Sequence, residues 1–230
     1  MLASVVCLGV STEAEGRAMD EDDAEPMTAE QSLALIARQR ERTRRELGVN
    51  PARLLAVWGV AWFVGWGLMY LARPGENSSR FPLWIPAVVL AVGFAAAIGY
   101  SIYYGTRAGR GIRGPSNLAG AMYGWSWTLG YAGLTVVNIR IGKTGLPWDT
   151  TSLLWTGSSL LLTGVLYLAG GAIWSDKLQF GLGVWMIVSA AASVFSSVPG
   201  NFLVLCLCGG GGFLVAAAVY TVRGRRPGRG

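Results

Sequence analysis

Histidine is absent from this 230-residue chain. Its absence removes the imidazole general base, the commonest metal ligand and every Ser-His or Cys-His nucleophile pair. Charge is scarce too: Asp, Glu, Lys and Arg make up 14% of the residues, against about 25% in an ordinary soluble domain. So few charges cannot coat a globule unless most of its surface avoids water. Cys206 and Cys208 stand two apart on a helix and face nearly opposite ways, so they cannot share a metal or pair with each other. They read as small apolar fillers.

What the chain has in quantity is apolar surface, with 52% hydrophobic residues and a mean hydropathy of +0.43. Crossing a bilayer takes about 20 mainly apolar residues in a helix. Six stretches without Lys, Arg, Asp or Glu have that length: Leu54–Ala72, Leu83–Tyr104, Leu118–Val137, Ser152–Ile173, Phe180–Val198 and Phe202–Thr221. Strand-like alternation of polar and apolar residues is missing, which argues against a β-barrel. The expected fold is an all-α polytopic bundle of six transmembrane helices over 54–222, joined by loops too short to fold as domains.

Basic residues set the orientation. Arg38, Arg40, Arg42, Arg44, Arg45, Arg53, Arg107, Arg110, Arg113, Lys177, Arg223, Arg225, Arg226 and Arg229 fall on one side, and only Arg73, Arg80, Arg140 and Lys143 on the other. Both termini are expected in the cytoplasm of a bacterial plasma membrane. This allocation accounts for the net charge of +6 without a nucleic-acid partner.

Residues 1–27 read as a disordered acidic leader, with the run Asp20–Glu25 and a weakly apolar start that lacks the basic flank of an export signal. Thr28 and Gln31 form a capping box, and Gly48 before Asn50-Pro51 gives a stop, so 28–48 is expected to be a cytoplasmic amphipathic helix. Leu33, Ile36, Ala37 and Arg40 share one side. Arg38, Arg40, Arg42, Arg44, Arg45 and the nearby Arg53 are expected to meet anionic lipid or a cytoplasmic protein. Residues 223–230 form a basic cytoplasmic tail.

Three features inside the bundle could line a solute path. Trp58, Trp62, Trp66 and Tyr70 recur every fourth residue on the first span, and Tyr123, Trp127 and Tyr131 make a similar ridge on the third. Aromatic faces hold organic cations, and they also simply pack helices. Thr156, Ser159 and Thr163 line one face of the fourth span, and Ser189 and Ser193, with Ser196, one face of the fifth. Such hydroxyls either join helices or form a polar path. Gly209, Gly210, Gly211 and Gly212 interrupt the sixth span, as a close-packing point or as an unwound midplane site. Gly120 and Gly124 make a GxxxG pair.

No carboxylate lies within a span, so a proton relay through buried acids is not expected. Gly142-Lys143-Thr144 resembles the end of a phosphate loop, but Val137 replaces its required glycine. Asp176, Lys177 and Gln179, at the inner boundary, are the one polar group compatible with intramembrane catalysis, and helix-end snorkelling explains them more simply. The first and fourth spans superpose Trp58 on Trp155 and Gly67, Tyr70, Leu71 and Ala72 on Gly164, Tyr167, Leu168 and Ala169. A true duplication would make an inverted repeat.

The ordered motifs G-A-M-Y-G-W-S-W (Gly120–Trp127), G-G-A-I-W-x-D-K-x-Q-F-x-L-G-V-W (Gly170–Trp185) and G-G-G-G-F-L-V-A-A (Gly209–Ala217) follow a Q-R-E-R-T-R-R helix. Together they resemble an uncharacterised family of actinobacterial six-span integral membrane proteins, often labelled transporter or hypothetical membrane protein. The resemblance covers 27–222 and implies a bacterial plasma membrane and transport, and it supplies no established substrate or catalytic residue to carry over; the residues themselves suggest no cofactor. Two readings stay open: a permease-like protein for a neutral solute or an organic cation, or a non-transporting scaffold or sensor that docks a cytoplasmic partner through its N-terminal helix. Expected partners are the lipid bilayer, anionic lipids and a second copy of the chain.

Overall fold

The computed structural model describes residues 28–46, 51–72, 81–109 and 115–225, and among them all regular structure is helical. The leader, the predicted stop at Gly48 and residues 226–230 of the tail lie outside the described residues. The chain divides into two units, Met1–Leu47 and Gly48–Gly230.

The first unit contains α1 (Ala29–Glu46). Its start is a reciprocal capping box: the Thr28 amide donates to Gln31 Oε1 at 2.9 Å and the Gln31 amide to Thr28 Oγ1 at 3.3 Å. Two otherwise orphaned donors are thereby satisfied. Leu33, Leu35 and Ile36 are exposed within this unit.

The second unit holds α2 (Pro51–Ala72), α3 (Trp84–Gly109), α4 (Pro115–Gly142), α5 (Trp148–Ile173), α6 (Lys177–Phe195), α7 (Gly200–Val204), a π-helical turn (Leu205–Gly210) and α8 (Gly211–Arg225). Five segments are long and apolar enough to cross a membrane: Pro51–Ala72, Trp84–Arg107, Trp148–Ile173, Lys177–Phe195 and Gly200–Arg223. They make this a helical integral membrane protein. The expectation of six is thus met in five places. Leu118–Val137 is helical within α4, but its Gly, Ser, Thr, Trp and Tyr residues dilute its apolarity, and lack of charge is a weaker condition than hydropathy.

The core sits where α2, α5, α6 and α8 meet, around Leu55, Trp62, Leu160, Leu182, Met186, Leu205 and Phe213. Glycines set the closeness of these contacts. At Gly183 an added Cβ would lie 2.6 Å from the Leu168 amide nitrogen and 2.8 Å from the Gly164 carbonyl oxygen, so α5 and α6 touch backbone to backbone. The outer helices are placed more simply: α3 lies on α2, and α4 on α5. Exchanging α2 with α5, α3 with α6 and α4 with α8 reproduces several of these contacts, since α2 packs on α3 as α5 does on α6, and α4 on α5 as α8 on α2. The correspondence stops at α6 and α8, whose packing has no α3–α4 equivalent among the described residues.

Candidate functional site

The two aromatic ridges meet inside the bundle. Trp62 of α2 stacks on Phe94 of α3 at 6.0 Å and meets Phe213 of α8 edge-on at 5.7 Å. Phe213 lies 5.5 Å from Tyr167 of α5, which lies 5.5 Å from Trp127 of α4. Trp127 in turn contacts Tyr123 and stacks on Tyr131. Trp58 joins through Phe94, and Trp66 stacks on Phe202 at 5.8 Å with its plane tilted by 8°. Tyr70 is half-buried at the end of its ridge. Apart from Tyr70, the predicted ridge residues are therefore assembled, but their rings lie against other rings. Phe94, Tyr167, Phe202 and Phe213 complete the chain and escaped the sequence reading, because each stands outside a repeating aromatic face.

The hydroxyl faces turn out to serve their own helices. Thr156 donates to the Ser152 carbonyl at 2.9 Å, Thr163 to Ser159, Ser189 to Trp185 and Ser193 to Ala190. This back-bonding is common for Ser and Thr in apolar helices. One of these hydroxyls is also reached from α4: Tyr131 Oη lies 2.6 Å from Thr163 Oγ1 and 3.2 Å from the Ser159 carbonyl oxygen. The side chain of Asn138 in α4 similarly donates to Ser158 Oγ at 3.0 Å.

The glycine tetrad is helical throughout. Gly209 and Gly210 close the π turn, and Gly211 and Gly212 begin α8, so the unwound alternative gives way to a widened turn. An added Cβ would lie 2.7 Å from the Trp62 ring at Gly209, 2.6 Å from the Phe63 amide nitrogen at Gly210 and 2.9 Å from Trp185 Nε1 at Gly212. Gly211 meets nothing within 4 Å. Two side chains stabilise this turn: Trp185 Nε1 donates to the Cys208 carbonyl at 2.9 Å, and the Cys206 thiol donates to the Phe63 carbonyl at 3.3 Å. A π turn shifts the hydrogen-bond register and often marks a functional site.

Just before it lies a polar cluster of which the sequence analysis singled out only Thr156. Asn201, the second residue of α7, is fully buried. Its Nδ2 donates to Ser152 Oγ and Thr156 Oγ1 of α5, each at 3.3 Å. Its Oδ1 has no hydrogen-bond partner among the described residues, and neither do Nε1 of Trp62 and Nε1 of Trp66. The signal available in the sequence was an amide at the mouth of a span, next to a Phe.

The opposite end of the unit carries the only carboxylate the sequence placed at the inner boundary. Asp176 caps α6 through the Leu178 and Gln179 amides and accepts from the Tyr220 hydroxyl of α8. Burial opposes its ionisation, but the hydrogen bonds from Tyr220, Gln179 and Leu178 and the charge of Arg223 outweigh it, holding the carboxyl below its ordinary range. Gln179 continues the network to Tyr123 Oη at 3.4 Å, which donates to the Leu166 carbonyl at 2.9 Å. Lys177 is exposed beside it. Of the predicted basic contacts, Arg38 and Arg53 are exposed on α1 and α2; Arg40, Arg42, Arg44 and Arg45 lie along α1 with side chains outside the described residues.

No family model matches this chain, and no curated protein or solved structure matches it.

Proposed function

We propose that this integral membrane protein is permease-like and moves a small solute across a bacterial plasma membrane, with six spans and both termini in the cytoplasm. The observation that carries the reading is a π turn within the last apolar helix, following a buried amide. A short α7, a π turn and α8 follow one another in Gly200–Arg223, and Asn201 stands at the head of that segment. Polar groups buried among membrane helices are costly and mark solute paths, and π turns inside helices are frequent at functional sites. No catalysis and no cofactor enter the proposal.

A second reading is favoured by α1, whose Leu33 and Ile36 are exposed within their own unit beside a basic run. On that reading the helix docks a cytoplasmic partner and the bundle is its anchor. Purified protein in liposomes separates the two. Solute flux that depends on Asn201 supports the permease. A sealed bundle, with function in cells lost on replacing Arg38, Arg40 and Arg42, supports the scaffold. The span count is tested by labelling single cysteines placed at Ala108 and Gly145, before and after the Leu118–Val137 stretch: six spans put them on opposite sides of the membrane, and five put them on the same side.

A further inference from the structure

We propose that the Asn201 cluster recognises a small uncharged solute able both to donate and to accept hydrogen bonds, such as a polyol or a urea-like amide. The inference rests on the permease-like reading for its consequence in transport, and on geometry for the binding itself.

Four polar side-chain atoms in the bundle are out of reach of solvent and without partners among the described residues: Tyr104 Oη of α3, the acceptor Asn201 Oδ1 and the donors Trp62 Nε1 and Trp66 Nε1. Those of Asn201, Trp62 and Trp66 belong to one neighbourhood. The Trp62 and Trp66 rings are 6.4 Å apart, Trp66 stacks on Phe202, and Phe202 follows Asn201 in the chain. Trp62 is 4% exposed and Asn201 0%, so water outside the bundle cannot satisfy them.

The orientation of the amide follows from its partners. Thr156 spends its single hydroxyl proton on the Ser152 carbonyl, and can therefore only accept from Asn201. This fixes Nδ2 toward α5 and leaves Oδ1 as the orphan. A cation could satisfy Oδ1 but would be repelled by the indole N–H dipoles, and an anion would meet the reverse conflict. One neutral molecule carrying a donor and an acceptor satisfies both kinds of group. The ring faces are already taken by Phe94, Phe213 and Phe202, so recognition falls to the polar edges and an aromatic cage for an organic cation is not what these tryptophans build.

The test reads the two indole N–H groups directly. In the nitrogen–proton correlation spectrum of the detergent-solubilised full chain, Trp62→Phe and Trp66→Phe identify the two signals, and the protein is titrated with glycerol, urea and choline chloride. Saturable shifts of both signals with glycerol or urea, weakened at least tenfold in Asn201→Leu and in the near-isosteric Thr156→Val, support the proposal. Shifts with choline alone overturn it, as do signals that neither neutral solute moves, or titrations that Thr156→Val and Asn201→Leu leave unchanged. Proteoliposome flux separates this from the broader reading. Binding without flux retains the site and removes the permease; flux with silent indoles retains the permease and removes the site.

Discussion

The Tyr220 hydroxyl donates to the Asp176 carboxylate, tying the last helix of the bundle to the turn that joins α5 and α6. The same carboxylate caps α6 through two backbone amides. One ionised group thus closes both a helix end and a contact between distant parts of the chain.

That linkage gives the protein an acid-sensitive element. Asp176 is held below its ordinary range, which in an unfolded chain lies near a pKa of about 3.9. A depressed carboxyl contributes stability that is fully present above the unfolded value and is lost as pH falls through the folded one. Tyr220→Phe removes one of the hydrogen bonds that depress it. The variant is expected to be less stable than the wild type at neutral pH, and the gap is expected to close as pH falls below about 4. Thermal unfolding in detergent across that range checks it; a gap independent of pH would contradict the linkage.

Glycine substitutions should separate the packed helices from the open ones. Ala at Gly183 meets backbone atoms of α5, and Ala at Gly210 meets the Phe63 backbone. Neither contact can be relieved by rotating a side chain, so each substitution is expected to cost about 1–3 kcal/mol. Gly120→Ala and Gly124→Ala meet nothing within 4 Å and are expected to leave the apparent melting temperature of the monomer unchanged or slightly raised. Matched melting curves of the four variants decide the matter, and a loss at Gly120 or Gly124 would point to packing against a second copy.

The basic run of α1 supplies its own probe, since trypsin cleaves after Arg. If these residues lie on anionic lipid, each is held by about 1 kcal/mol near the surface. Cleavage within 38–45 is expected to be slower in liposomes containing anionic lipid than in zwitterionic ones, and the protection is expected to fade at high salt. Equal cleavage rates in both membranes would favour a protein partner for this helix.

Trp185→Phe tests the brace on the π turn. The substitution keeps a smaller aromatic ring and removes the N–H that serves the Cys208 carbonyl, a hydrogen bond worth about 0.5–1.5 kcal/mol net. Faster amide exchange confined to Leu205–Gly210 is the expected signature. Unchanged exchange there would show that the turn is held by its glycine contacts alone.

Much of the architecture was legible because the bilayer demands long uncharged helices, and Thr28 with Gln31 announced the start of α1 by residue type alone. Phe213 and Tyr167 were not legible as a bridge between the ridges, because which faces of α5 and α8 turn toward each other depends on packing that no single-helix periodicity encodes. The hydroxyls of Thr163 and Ser189 show the complementary difficulty: a polar face on a helix is visible in sequence, whereas its satisfaction by the preceding turn is a matter of rotamer. Asn201 was hidden by its position at a turn, where an amide is ordinary.

The π turn has a further consequence, for the angular phase of the last apolar segment. Successive residues of an α-helix advance by about 100° around the axis, and a turn hydrogen-bonded one residue further along accommodates an extra residue within the run. Winding the same number of residues as an ordinary α-helix, without the widened turn, would rotate one half against the other by roughly that angle. Asn201 and Tyr220, at the two ends of this segment, could then no longer both face α5 and Asp176. The widened turn absorbs the extra residue and keeps the two ends of the segment in register with each other.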